Sequence, residues 1–162
     1  MADNKLYRQL DGELDVIYDE VVSVRSDQHI FWHMQEMIHA NSTINVPSEF
    51  YQWMGRMYAA SMSAAIRRQV DERNDAVSFL RFLRELKRHP DVVTRERYKS
   101  LCAGRVPEDY VNADFDRLVG VGKNMMSPGD VQVDIDELIA KADVLRSTRM
   151  QRSLIAGRRH LR

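Results

Sequence analysis

Apolar residues recur at intervals of three and four along most of the chain, which is the spacing of one helix face. The longest run starts near Lys5 and continues to about His39. Its apolar stripe consists of Leu6, Leu10, Leu14, Ile17, Val21 and Val24, continued less densely by Phe31, Met34 and Ile38. Strand-like alternation is nearly absent, so the pattern predicts an all-α chain that opens with one long helix.

Turn-forming residues divide the rest of the chain into further helices. A turn-rich connector covers 41–47, Asp75 is placed to cap a helix, and Pro90 ends that helix. The predicted helices after the first are, in order, about Ser48–Val70, Ala76–His89, 94–102, 107–118 and a last helix from near Asp130. Four main helices and two short ones, joined by short turns, predict an up-and-down helical bundle. Residues 1–162 are expected to form a single domain.

Composition narrows the class of protein. The chain has 24 basic and 24 acidic residues, so its net charge is zero, and it has one cysteine, Cys102. A single cysteine excludes an intramolecular disulfide and favours a cytoplasmic location. The longest uncharged apolar stretch, 57–66, is too short to span a bilayer, and the polar N-terminus has no apolar signal core. No membrane association is therefore expected. Gly120 and Gly122 lack the phosphate-loop spacing, so no cofactor is expected either.

Residues 144–162 carry six arginines and no acidic residue. Counted on a helix, the apolar face of Ile135, Ala142 and Leu145 continues into Arg146, Arg149 and His160. A lone buried arginine is costly without a carboxylate or phosphate partner. This end of the helix therefore projects into water, pairs with acidic residues elsewhere, or lines a groove for a polyanion or a dimer interface. These interpretations stay open, and arginine suits a polyanion groove because its planar fork grips phosphate oxygens.

Two mid-chain segments resemble a known family. Residues 53–71 include Trp-Met-Gly-Arg-Met-Tyr and end in Ala-Ile-Arg-Arg-Gln-Val-Asp, and residues 75–86 read Asp-Ala-Val-Ser-Phe-Leu-Arg-Phe-Leu-Arg-Glu-Leu. A long helix ending in an arginine-to-aspartate segment, then a turn and a helix opening on Ser-apolar-apolar, resembles the abortive-infection branch of the HEPN superfamily. The resemblance implies a HEPN-like four-helix bundle that forms a homodimer, with two Arg-x4-His motifs in one cleft.

The resemblance also implies a function. Many members are metal-independent ribonucleases of toxin–antitoxin or phage-defence systems, so RNA and an antitoxin protein are expected partners. The motif position is occupied by Arg152-Ser-Leu-Ile-Ala-Gly157, so glycine replaces the motif histidine. Cleavage would use Arg152 to stabilise charge on the phosphate and His160 as acid or base, and an inactive member is the alternative. The expected RNA-binding residues are Arg146, Arg149, Arg158, Arg159 and Arg68.

Other histidine and arginine positions have simpler interpretations. Arg84 and His89 also have Arg-x4-His spacing, but they lie at the C-terminal end of a helix, where the negative end of the helix dipole stabilises cations. His29 and His33 share a helix face with Glu36, which is a possible metal-binding spacing without a second ligand cluster, so no metal site is expected. Arg68 is spaced to pair with Asp71 on its own helix as an alternative to lining the groove.

A second class of function remains open. The chain could be a non-enzymatic helical module for protein interaction or dimerisation. The methionines, including Met54 and Met57, are expected as adaptable core residues, and Trp32 and Trp53 as core or dimer anchors. The two hypotheses differ in RNA affinity, which the interaction module lacks.

Overall fold

The computed structural model describes the backbone of residues 2–73 and 75–158, and the side chains of 5–73 and 75–144. Within those residues there are six α-helices and no strand. The helices are α1 (Ala2–Ala40), α2 (Glu49–Gln69), α3 (Phe79–Arg88), α4 (Arg95–Cys102), α5 (Glu108–Val119) and α6 (Pro128–Arg158), with a 3-10 turn at Pro90–Val92. The all-α prediction is confirmed, and the predicted boundaries of α2, α4 and α5 lie within one or two residues of those observed.

Helices α1 and α2 form an antiparallel hairpin with a regular register. The Phe31 and Tyr58 rings stack with their centroids 3.9 Å apart, and Glu20 accepts hydrogen bonds from Arg68 and Gln69 at the other end. Along α1, buried or partly buried apolar side chains recur every seventh residue: Leu10, Ile17, Val24, Phe31 and Ile38. A seven-residue repeat is the spacing of coiled-coil seams, and it explains how so long a helix stays in contact with one partner.

The hydrophobic core lies at one end of this hairpin, where α3 and α6 pack on it. Helix α3 buries Leu80, Phe82, Leu83 and Leu86, and α6 adds Val131, Ile135 and Ala142. Lys87 donates a hydrogen bond to Gln132, so the end of α3 lies beside the start of α6 and the two helices run antiparallel. Because α3 has 10 residues and α1 has 39, α3 can cover only the base of the hairpin.

The start of α3 corrects a prediction. Ser78, not Asp75, is the N-cap, and the helix begins at Phe79 instead of Ala76. The Ser78 hydroxyl accepts a hydrogen bond from the Arg81 N–H at 3.3 Å and donates one to the Asp71 carbonyl at 2.6 Å. Ser78 is buried and its hydroxyl serves two backbone groups at once, whereas Asp75 is exposed. The buried position therefore decides which residue caps the helix.

Helices α4 and α5 pack against each other around a locked arginine. The Arg95 guanidinium is 14% exposed, bonds to Asp116 and the Lys123 carbonyl, and lies 4.7 Å from the centre of the buried Phe115 ring. An antiparallel bridge between Thr94 and Met125 closes the loop that follows α5. The α4–α5 unit is thus held by its own polar network and attached to the base of the hairpin.

Candidate interaction surface

Most of the residues predicted to bind or cleave RNA lie outside the described side chains. The backbone of α6 is helical as far as Arg158, which agrees with the prediction of a long last helix. The side chains of Arg146, Arg149, Arg152 and Arg158 are outside the description, as are Arg159 and His160 entirely. Their proposed roles therefore stay predictions.

Arg68 is the one predicted RNA-binding residue whose surroundings are described. Its side chain is more than half exposed, and its Nε lies 3.2 Å from Glu20 Oε1 on α1. The predicted pairing with Asp71 is wrong, because Asp71 turns to Arg73 at 2.8 Å. The hydrogen bonds and charge of Arg73 hold the pKa of Asp71 below its usual value. Arg68 therefore pins the two hairpin helices together at their base.

The histidines of the two candidate motifs lie exposed on helix surfaces or at a helix end. His29 and His33 are exposed with stacked rings 6.1 Å apart, and His33 Nδ1 lies 3.6 Å from Glu36. No group of three or more His, Cys, Asp or Glu side chains in the described residues is arranged to hold a metal ion. At the end of α3, Arg84 contacts Glu72, and His89 is the C-cap residue, so that motif lies at a helix end as expected.

The distal part of the α1–α2 hairpin is the unusual feature of the surface. The last buried residue of α1 is Ile17 and the first of α2 is Ala65, and no side chain between them is buried. Within that span, the side chains that face the other helix are only half-buried, including Phe31 and Tyr58. Helices in water derive most of their stability from packing an apolar face, and here the packing is incomplete.

A set of large apolar side chains near the hairpin connector forms what we call the tip surface. Its members are more than half exposed: Ile30, Met37, Phe50, Trp53 and Met57. Phe50, Trp53 and Met57 are spaced i, i+3, i+7 and so share one face of α2, and the Phe50 and Trp53 rings stack at 5.9 Å. A row of exposed aromatic and apolar side chains on one helix face, as on α2, is typical of binding sites in soluble proteins.

One member of the tip surface corrects a prediction. Met57 is expected from the sequence as a core residue, whereas the structure leaves it more than half exposed. The face of α2 toward α1 includes Tyr58 instead, through its stack on Phe31. The signal for this outcome was present, since α2 carries two apolar stripes and one neighbouring helix can cover only one of them.

Comparisons with known proteins add no family. No family model matches the chain, and neither a curated protein nor a solved structure is detectably similar to it. None of the helices in the described part of the chain is long and apolar enough to cross a membrane.

Proposed function

We propose that this chain is a helical interaction module that dimerises through the tip surface of the α1–α2 hairpin. The observation that carries the proposal is the span from 18 to 64, in which two helices pack on each other without burying a single side chain. A second copy supplies the missing layer, because its hairpin presents the same apolar face.

The common symmetry of soluble oligomers favours a second copy as the partner. Five half-exposed residues at roughly 200 Å² or less each offer about 500 Å² per chain. Stable interfaces bury about 800 Å² on each partner, so the proposed interface also includes residues that flank the tip surface. A two-fold arrangement uses the same patch twice, which is the commonest symmetry of soluble oligomers. Two hairpins then form an up-and-down four-helix bundle.

The residue types also favour a protein partner. Trp53 and Phe50 are the kind of rigid aromatic anchor that dominates interface energies. Met37 and Met57 are unbranched and polarizable, so they adapt to the partner surface.

The test compares charge substitutions on and off the tip surface. Trp53→Glu and Met57→Glu place a carboxylate in the proposed interface and should convert the dimer to a monomer in sedimentation equilibrium. The matched control is Val133→Glu, on the exposed side of α6 at the base, where valine is 65% exposed. The control should remain dimeric. A wild-type chain that is monomeric throughout, or tip variants as dimeric as the control, would reject the proposal.

A second candidate function is RNA binding of the HEPN type, and one sequence observation favours it. Residues 144–162 carry six arginines and no acid, and the α6 backbone remains helical to Arg158. In a dimer, two such segments would supply Arg146, Arg149, Arg152, Arg158 and Arg159 from each chain, with Arg68 at the hairpin base. A toxin–antitoxin or phage-defence role, with an antitoxin as further partner, belongs to this candidate.

RNA binding is tested by its salt dependence. Each phosphate contact on a single strand adds about −0.7 to the slope of log affinity against log salt concentration, so RNA binding by several arginines should weaken steeply as salt is added. Arg152→Ala should weaken binding, while Arg105→Ala, an exposed arginine on the α4–α5 unit, should not. Incubation with total RNA then tests cleavage by Arg152 and His160. Absence of RNA binding even at low salt would reject this candidate, and the interaction module would remain as the proposed function.

A further inference from the structure

A second site lies at the base of the molecule, away from the tip surface. An apolar cavity of about 250 Å³, open to solvent, lies where α1, α3 and α4 meet. Its wall is apolar and is formed mainly by Leu10, Phe82, Leu86, Val92 and Val93. A cavity of roughly 150 Å³ lined by such residues admits benzene, so this one has room for a branched or aromatic side chain.

Arg97 lies at this cavity without a carboxylate partner. Its guanidinium is 3.8 Å from the centre of the Tyr7 ring, and its Nη1 donates only a long, 3.5 Å hydrogen bond to the Val92 carbonyl. No ion pair in the described part of the chain includes Arg97. The aromatic ring fixes the position of the cation, and most of its N–H donors remain available.

Asp11 supplies the opposite charge at the same cavity. It follows Tyr7 by one helical turn, so it lies on the same side of α1 as the ring that holds Arg97. Asp11 is exposed, and it forms no ion pair with any described cation, Arg97 included. One apolar cavity is therefore bordered by a cation and an anion that do not neutralise each other.

We infer that the cavity binds a free α-amino acid with an apolar side chain. The ligand carboxylate pairs with the Arg97 guanidinium, the ammonium group pairs with Asp11, and the side chain enters the apolar wall. A simple carboxylate would meet the charge of Asp11, and a simple amine would meet that of Arg97. A ligand whose ammonium and carboxylate groups are attached to one carbon can pair with both residues while its side chain fills the cavity.

The test uses L-leucine as the probe, with NMR titration of the full-length chain. Saturable shifts are expected for the backbone amides of Tyr7 and Val93. Three analogues each remove one feature: L-leucinamide lacks the carboxylate, 4-methylpentanoate lacks the ammonium group, and glycine lacks the apolar side chain. The first two should bind about fivefold more weakly, as expected for a partly exposed ion pair, and glycine about a hundredfold more weakly.

Variants assign the two charges. Arg97→Gln and Asp11→Asn should each weaken leucine binding about fivefold, whereas the exposed Arg105→Gln and Asp109→Asn should leave it unchanged. The analogues act on the unaltered protein, so the inference remains testable if Arg97→Gln fails to fold. Absence of saturable binding would overturn it, and so would an analogue that binds as tightly as leucine. Neither result bears on dimerisation through the tip surface.

Discussion

Replacing Ser78 with alanine should destabilise the base of the molecule more than any other single loss of a helix cap. The hydroxyl is buried, with 1% exposure of the residue, and it serves two backbone groups: it accepts from the Arg81 N–H and donates to the Asp71 carbonyl. Loss of an N-cap costs about 1 kcal/mol. The Asp71 carbonyl also loses the donor that the buried Ser78 supplies, which costs about 1 kcal/mol more.

The expected loss for Ser78→Ala is therefore about 2 kcal/mol in the free energy of unfolding. Ser48→Ala is the matched control, since Ser48 caps α2 through the Phe50 N–H but lies at a partly exposed position. Its loss should be about 0.5 kcal/mol, because water can reach the uncapped groups. Urea unfolding followed by far-ultraviolet circular dichroism gives both values. Equal losses for the two variants would refute the argument that burial makes the Ser78 cap exceptional.

Three further predictions concern ionisation and the hairpin. The hydrogen bond to Asp114, with burial, raises the pKa of Tyr98 to about 12. Spectrophotometric titration should therefore show one tyrosine that ionises after the others. The stability that Tyr98 contributes is complete below its ordinary pKa of about 10 and is lost as the pH rises toward 12. The hydrogen bond from Arg95 lowers the pKa of Asp116, so the stability that Asp116 contributes is present above about pH 4 and is lost below it. Asp116→Asn should make the free energy of unfolding depend less on acid pH. An unchanged dependence of that free energy on pH would contradict this. Phe31→Ala removes the ring stacked on Tyr58 and should cost about 1.5 kcal/mol in the free energy of unfolding; a loss below about 0.5 kcal/mol would show that the stack contributes little.

The helices could be predicted from the sequence because their signals are local. The apolar spacing of α1, the proline at position 90 and the short helices near 94 and 107 depend on residues close in the chain. The cap of α3 could not be predicted in this way. Asp75 and Ser78 are both good capping residues, and the choice between them depends on the Asp71 carbonyl, which the fold brings to Ser78.

The candidate sites likewise depend on contacts between residues that are distant in the chain. The sequence identified Trp53 and Met57 as apolar residues of α2, but whether they are buried depends on how many helices surround the hairpin. The sequence did not point to Arg97 and Asp11 as members of one site. The two residues are far apart in the chain, and only the packing of α4 on α1 brings them to one cavity. The Arg68 partner was missed for the same reason, since Glu20 belongs to another helix.

The central claim is that the hairpin needs a second copy to complete its packing. Sedimentation equilibrium of the full-length chain, with Trp53→Glu and the control Val133→Glu, tests it most directly. The account predicts twice the monomer mass for the wild type and the control, and the monomer mass for Trp53→Glu. A wild-type protein that sediments as a monomer at every concentration measured would contradict it.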